Sequence, residues 1–344
     1  MINTRCLAVR ATAIFVFLGM MSAWGKSAPL DLVDAIRTAE KHGDVEAMIT
    51  LGVKYYEGTG VPQDNKEAAK WFRKAAERGD AGMQYLVAGM YALGIGVQQD
   101  SAKALKWCRM AAENGDVDAQ VHLGLMYHSG DGVPQDDAES AKWFRKASEQ
   151  GNADAQYTFG LICHEGSSGP KDDTEAAKWF RKAAEQGNAE AQVALGVFAR
   201  EGLGMPKDDA EAVKWFRMAA ELGFARARFE LGVMYNNGLG VPLDGAEAAK
   251  WFREAAEQGD AEAQVALGMM YHRGDGVPQD ETEAVTWFRK AAEQGLAGAQ
   301  HNMGLAYETG SGVPQDYAEA VKWYRKAAEQ GYGAAQAALK SLDR

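Results

Sequence analysis

Residues 260–295 read DAEAQVALGMMYHRGDGVPQDETEAVTWFRKAAEQG. Apolar side chains fall at Ala263, Leu267, Met270 and Tyr271, and again at Ala284, Trp287, Phe288, Ala291 and Ala292, each set with the spacing of one helix face. Between them lies GDGVPQD. Gly274 suits the left-handed backbone that ends a helix and Pro278 blocks its continuation. Asp280, with Glu283 three residues later, carries the signature that opens a second helix. The stretch predicts helix, turn, helix.

The reading extends along the chain. Tryptophan recurs at Trp71, Trp107, Trp143, Trp179, Trp215, Trp251, Trp287 and Trp323, a spacing of 36 without insertion or deletion. The period defines eight units: 44–79, 80–115, 116–151, 152–187, 188–223, 224–259, 260–295 and 296–331. Seven prolines share one column, with Gln98 standing in it in the second unit. Such self-similarity predicts an array of stacked repeats, one solenoid and not two globules. A single unit buries too little apolar surface to offset the entropy of ordering its chain, so neighbours must supply the balance. Unpaired half-units at 26–43 and 332–344 resemble a second and a first helix and read as caps.

Composition fits a folded body. Of 344 residues, 47% are hydrophobic and 25% charged, which excludes wholesale disorder and a polytopic membrane protein. The 39 glycines against 8 prolines point to periodic turns. A net charge of -11 opposes a phosphate backbone, so no nucleic-acid partner is expected. Residues 1–25 carry Arg5 and Arg10, an apolar run from Ala11 to Met21 and small residues at Ala23 and Gly25, the pattern of a secretory signal peptide. The run is shorter than the roughly 18 residues that span a bilayer, and no later stretch approaches that length. The expectation is an exported protein, periplasmic or secreted, with no membrane span after cleavage. Cys108 and Cys163 are too few for a disulfide framework.

No motif for chemistry stands. Arg78-Gly79-Asp80 falls at a unit boundary, where Gly79 ends one helix and Asp80 caps the next. Residues 19–27 have one residue too many between glycines for a phosphate loop, and His164-Glu165 lacks the second histidine of a metalloprotease, having Ser168 there. A lysine column (Lys70, Lys106, Lys142, Lys178, Lys214, Lys250, Lys322) precedes an arginine column, but a glutamate follows each arginine by four, where helix neighbours pair. That reads as a self-neutralising, solvated face. His128 and His164 share a column, yet no cysteine or carboxylate cluster completes a metal shell. No cofactor, metal or catalytic residue is assigned.

The repeated A-x-A-Q-x-x-L-G-x-x-Y, G-x-G-V-P-x-D and E-A-x-K-W-F-R-K-A-A-E-Q-G segments resemble the Sel1-like repeat family, a group close to tetratricopeptide repeats. The resemblance implies an all-α fold, an α/α superhelical solenoid of eight 36-residue repeats with half-repeat caps. It also implies an adaptor for proteins or peptides, in bacteria often exported. Some cysteine-rich relatives bind β-lactams; their paired cysteines in every repeat are not matched by Cys108 and Cys163.

Two columns of the first helix vary while their surroundings repeat: Ile49, Tyr85, Val121, Tyr157, Val193, Phe229, Val265, His301; and Tyr56, Ala92, His128, His164, Arg200, Asn236, His272, Glu308. By similarity to tetratricopeptide arrays these columns line a concave groove, where aromatic rings supply contact area and polar groups selectivity. The expected partner-binding residues are Tyr56, Tyr85, His128, Tyr157, His164, Arg200, Phe229, Asn236, His272 and His301. The expected function is a monomeric, non-enzymatic interaction scaffold for a protein or peptide; the alternative is a cell-envelope hydrolase or a β-lactam-binding protein.

Overall fold

The computed structural model describes residues 32–342. The predicted leader, residues 1–25, lies outside them, as does the start of the 26–43 segment. The described residues form eighteen α-helices and no strand. A single helix, Leu32–His42, precedes eight pairs that begin with Val45–Glu57 and Asn65–Glu77 and end with Ala297–Thr309 and Tyr317–Glu329. A last helix, Gly333–Leu342, follows. The helices gather into two compact units, residues 32–171 and 172–342, and within each unit consecutive helices pack in chain order. This is an all-α solenoid.

Local chemistry sets the helix ends. Asp280 Oδ1 accepts from the backbone N–H groups of Thr282 and Glu283, at 2.9 and 3.0 Å, satisfying two of the donors that a helix start leaves open. Gly274, with φ 74°, closes the helix before it in the left-handed conformation. First helices are capped alike by Asp or Asn, except where the sequence places Phe224 and Leu296, which offer no side-chain acceptor.

In the first pair the second helix buries Trp71, Phe72, Ala75 and Ala76, and the later second helices bury the matching side chains, with Trp107 and Trp251 only partly covered and Cys108 in place of the second aromatic. On its outer side lysines lie over the indoles: Lys74 Nζ is 4.1 Å from the Trp71 ring centre and Lys290 Nζ 3.7 Å from that of Trp287. Other lysines pair with the glutamate three residues before them, as Lys70 with Glu67 at 2.9 Å and Lys322 with Glu319 at 2.7 Å. The arginine column departs from expectation. Arg145 and Glu149 do pair along their helix at 2.9 Å. Four other arginines instead donate to a tyrosine hydroxyl of the next repeat, Arg109 to Tyr127 at 2.7 Å among them. A guanidinium long enough to reach the neighbour gains a directed hydrogen bond there, whereas an exposed pair along one helix contributes little.

A buried glutamine column joins the repeats. Gln84 Nε2 donates to the Ala76 carbonyl of the preceding repeat at 3.1 Å, and Gln84 Oε1 accepts from Asn114 Nδ2 at 2.8 Å. Gln120, Gln264 and Gln300 repeat both bonds, so a polar side chain in the core is satisfied on both sides.

Candidate functional site: the first-helix faces

The two variable columns are the sixth and thirteenth residues of each unit. On a helix they share a face with the tenth residue, four on from one and three before the other. That tenth column is apolar and half-buried at Leu125, Leu161, Val197, Val233 and Met269, while Leu305 is 44% exposed. Sequence reasoning missed it because, Gly89 apart, it exchanges only Val, Leu and Met, as a framework column does. Its signal was surplus: the fourth, eighth, eleventh and twelfth residues already supply an inward stripe, so another apolar column has no core left to fill.

In the unit of residues 32–171, Tyr56, His128, Tyr157 and His164 are half-buried. His128 Nδ1 lies 3.2 Å from Asp137 Oδ1, linking the end of one helix to the start of the next in its own repeat. Burial raises the Tyr56 hydroxyl pKa above its ordinary value.

Tyr85 is different. It is 8% exposed and packs in the core with Ala88, Cys108 and Leu123. The reason lies in its repeat: Cys108 stands where the other repeats carry Phe or Tyr, and the Tyr85 ring turns inward beside the smaller side chain. Its hydroxyl meets His122 Nδ1 of the next repeat at 3.1 Å. Burial pushes that hydroxyl far above the tyrosine range and pulls His122 below its own, so both are neutral near pH 7. Tyr85 therefore offers little surface to a partner. Cys108 is buried too, its thiol pushed up to about 12, which leaves almost no thiolate for nucleophilic chemistry.

In the unit of residues 172–342, Arg200 pairs with Glu230 of the next repeat, a carboxylate 3% exposed that Arg226 also contacts at 2.8 Å. Phe229, half-buried, lies between the Arg226 guanidinium, 5.0 Å from its ring centre, and the Phe252 ring at 5.7 Å. Asn236 and His272 are exposed, and His272 Nδ1 reaches Glu281 Oε2 at 2.8 Å. His301 sits between the rings of Tyr324 and Tyr332, at 5.5 and 5.4 Å. The structure thus ties these polar column residues to neighbouring elements: His128 and His272 to their own second helix, Arg200 to the seventh residue of the next repeat. That seventh column, with His122 and Glu230, is the other feature sequence reasoning passed over. Among the described residues no group of three or more His, Cys, Asp or Glu is placed to hold a metal, and no helix is long and apolar enough to cross a membrane.

The family model described as Sel1 repeat matches residues 45–80, 81–116, 117–152, 153–188, 189–224, 225–260, 261–296 and 297–332. Among solved structures, the chain is similar to c5321, a protective antigen of uropathogenic Escherichia coli strains displaying an SLR fold. The two share 38% identity with a TM-score of 0.78, over 91% of this chain and 67% of that one. A Sel1 repeat protein from Oxalobacter formigenes is 36% identical with a TM-score of 0.73, over 94% of this chain and 93% of that one. Comparison with curated proteins finds no match. With eight consecutive repeats and two such relatives, the chain belongs to the Sel1 repeat family, whose fold is a general scaffold for protein interactions.

Proposed function

We propose that the protein is an exported, non-enzymatic scaffold that holds a peptide segment or a partner protein against the first-helix faces of its repeats, and that it does so as a monomer. The tenth column, aliphatic and partly exposed from Leu125 to Leu305 and flanked by the variable sixth and thirteenth columns, carries this reading: an apolar stripe gives contact area and its variable borders give selectivity. The tenth column adds Leu125 and Leu161 beside Tyr157, His128 and His164. In the other unit Val233 and Met269 lie beside Phe229, Asn236 and His272. Tyr85, buried, is left out of the surface. The net charge of -11, with Asp118 and Asp154 exposed on the same helices, favours a neutral or basic partner. Export is supported by the Arg5 to Gly25 pattern and by the antigen named for the Escherichia coli relative.

The test is affinity capture from envelope extract with mass spectrometry, run in parallel with wild type and Tyr157→Ala/His164→Ala. The expected outcome is a stoichiometric protein whose capture falls at least about tenfold in the variant, as loss of an interface anchor produces, while circular dichroism shows the fold retained. Equal capture by both would move the binding surface off these helices.

A further inference from the structure

The junction between the helices Asp209–Glu221 and Ala225–Asn237 departs from the array at two neighbouring positions. The residue just after the second helix is Arg, Asn or Gln in the seven other repeats and Leu222 here, 62% exposed. Two places on, the half-buried Phe224 stands where Asp116, Asn152, Asn188 and Asp260 cap the next helix, and it offers no side-chain acceptor. The same repeat holds Gln192, 1% exposed. Its Nε2 donates to the Ala184 carbonyl at 3.1 Å, but its Oε1 is buried with no partner among the described residues. Other repeats show what this acceptor takes. Gln150 Nε2 donates to Gln120 Oε1 at 2.8 Å, Gln294 to Gln264 at 2.9 Å and Gln330 to Gln300 at 2.8 Å. Gln330 Nε2 also donates to the Gly295 carbonyl at 2.9 Å, so one NH2 group serves two acceptors across a repeat boundary. The counterparts of that pair here are Gln192 Oε1 and the carbonyl of the exposed Gly187.

We propose that this junction docks a glutamine side chain of a partner protein, its carboxamide N–H groups donating to Gln192 Oε1 and the Gly187 carbonyl while its apolar neighbours lie on Leu222 and Phe224. Three observations define the occupant. A buried acceptor without a donor is costly, so the incoming group must carry N–H or O–H, which a carboxylate, a thioether or an alkyl chain does not. Both acceptors are neutral, and the nearby Arg228 guanidinium, 4.0 Å from a Cβ built on Gly223, is already paired with Glu254 at 3.4 Å. An ammonium buried there would lack a counter-charge, whereas a neutral amide needs none. The exposed Leu222 and the half-buried Phe224, in columns that are otherwise mostly polar, give the site an apolar border. Gln192 Oε1 is covered in the free chain, so docking turns Leu222 aside, and at 62% exposure that side chain is held by few contacts. These contacts lie at a helix junction and not in the sixth, tenth or thirteenth columns, so this reading and that of the first-helix faces can fail separately.

The experiment uses the full chain labelled with 2H and 15N, followed by NMR at the Gly223 amide. It is titrated with the acetylated tripeptide methylamides Leu-Gln-Leu, Leu-Met-Leu and Leu-Lys-Leu. Leu-Gln-Leu is expected to shift the signal saturably, with affinity at least about threefold above the other two, the size of one neutral hydrogen bond. Leu222→Gln supplies the donor from within the chain, as Gln294 does for Gln264, and should abolish the preference for the glutamine peptide. Gln192→Met, which removes the acceptor at similar volume, should erase the same preference; Leu222→Gln carries the test if that core change unfolds the protein. No saturable shift, equal or tighter binding of the methionine or lysine peptide, or a glutamine preference that survives in either folded variant would each overturn the proposal.

Discussion

Gln192 Oε1 is buried without a hydrogen-bond partner among the described residues, and Leu222 stands thirty residues on, where Asn114, Gln150, Gln294 and Gln330 each donate to the glutamine of their own repeat. The other half of the joint is intact, with Gln192 Nε2 donating to the Ala184 carbonyl at 3.1 Å. Leu222 is 62% exposed, so it gains little from burial in exchange for the lost donor.

Leu222→Gln should therefore stabilise the protein by about 1 kcal/mol, the net worth of a hydrogen bond that satisfies a buried acceptor. The reverse change in an intact joint, Gln294→Leu, strands Gln264 Oε1 and should cost about 1–2 kcal/mol. Urea unfolding of the two variants beside wild type reads both signs. Matching effects of the same sign would show that the amide pair contributes nothing.

A second pair of columns is coupled by volume. A Cβ built on Gly268 would lie 2.6 Å from Phe288 Cε1 and 2.7 Å from Phe288 Cδ1, so Gly268→Ala should destabilise by about 1–3 kcal/mol through overpacking. Phe288→Cys should cost about 3 kcal/mol by leaving a cavity. The second repeat holds Ala88 and Cys108 in these two columns, which indicates that each change relieves the other. The double variant should cost at least about 1 kcal/mol less than the separate losses combined. Strict additivity in denaturant unfolding would mean the two positions do not compete for one space.

That exchange shows where sequence reading succeeds and where it stops. The tryptophan clock, the Gly-x-Gly-Val-Pro turns and the aspartate caps act within one repeat, and periodicity exposes them directly. The arginine column shows the limit: its spacing to Glu149 is visible in the sequence, but Tyr127, the partner Arg109 uses, lies across a gap that only packing closes. Tyr85 fails for a related reason. It varies like its column, but its direction is decided by Cys108, twenty-three residues away on another helix. The tenth column escapes notice because a column that exchanges one aliphatic residue for another, from Leu125 to Leu305, looks like framework until its exposure is known.

The leader reading has its own check. If residues 1–25 are removed on export, N-terminal sequencing of the mature protein from the envelope or the medium should begin at Lys26. An intact Met1 on a cytoplasmic protein would refute export.

Asp116 gives a pH-dependent prediction with a defined sign. Its carboxylate caps the helix Val117–Ser129 by accepting from Ala119 N at 2.7 Å. Burial nevertheless pushes its pKa up to about 6 from the ordinary 3.8; the Ala119 hydrogen bond opposes the shift and the neighbouring Asp118 and Asp80 charges reinforce it. Between these values the folded protein holds a proton that the unfolded chain has released, so the stability this group contributes is full below about pH 4 and is lost as pH rises through about 6. Asn152 and Asn188 occupy the same place in their repeats and cap through Ala155 N and Ala191 N, both at 2.8 Å, so Asp116→Asn should keep the cap while removing the titration. The difference in stability between variant and wild type should be small at pH 4, grow in the variant's favour towards pH 6, and level off by pH 7. Taking the difference cancels the carboxylates remote from Asp116, which titrate alike in both proteins; Asp118 and Asp80, which feel its charge, enter the difference with it. Urea unfolding at these pH values measures it, and a difference that stays constant from pH 4 to pH 7 would show that Asp116 ionises as freely in the fold as in the unfolded chain.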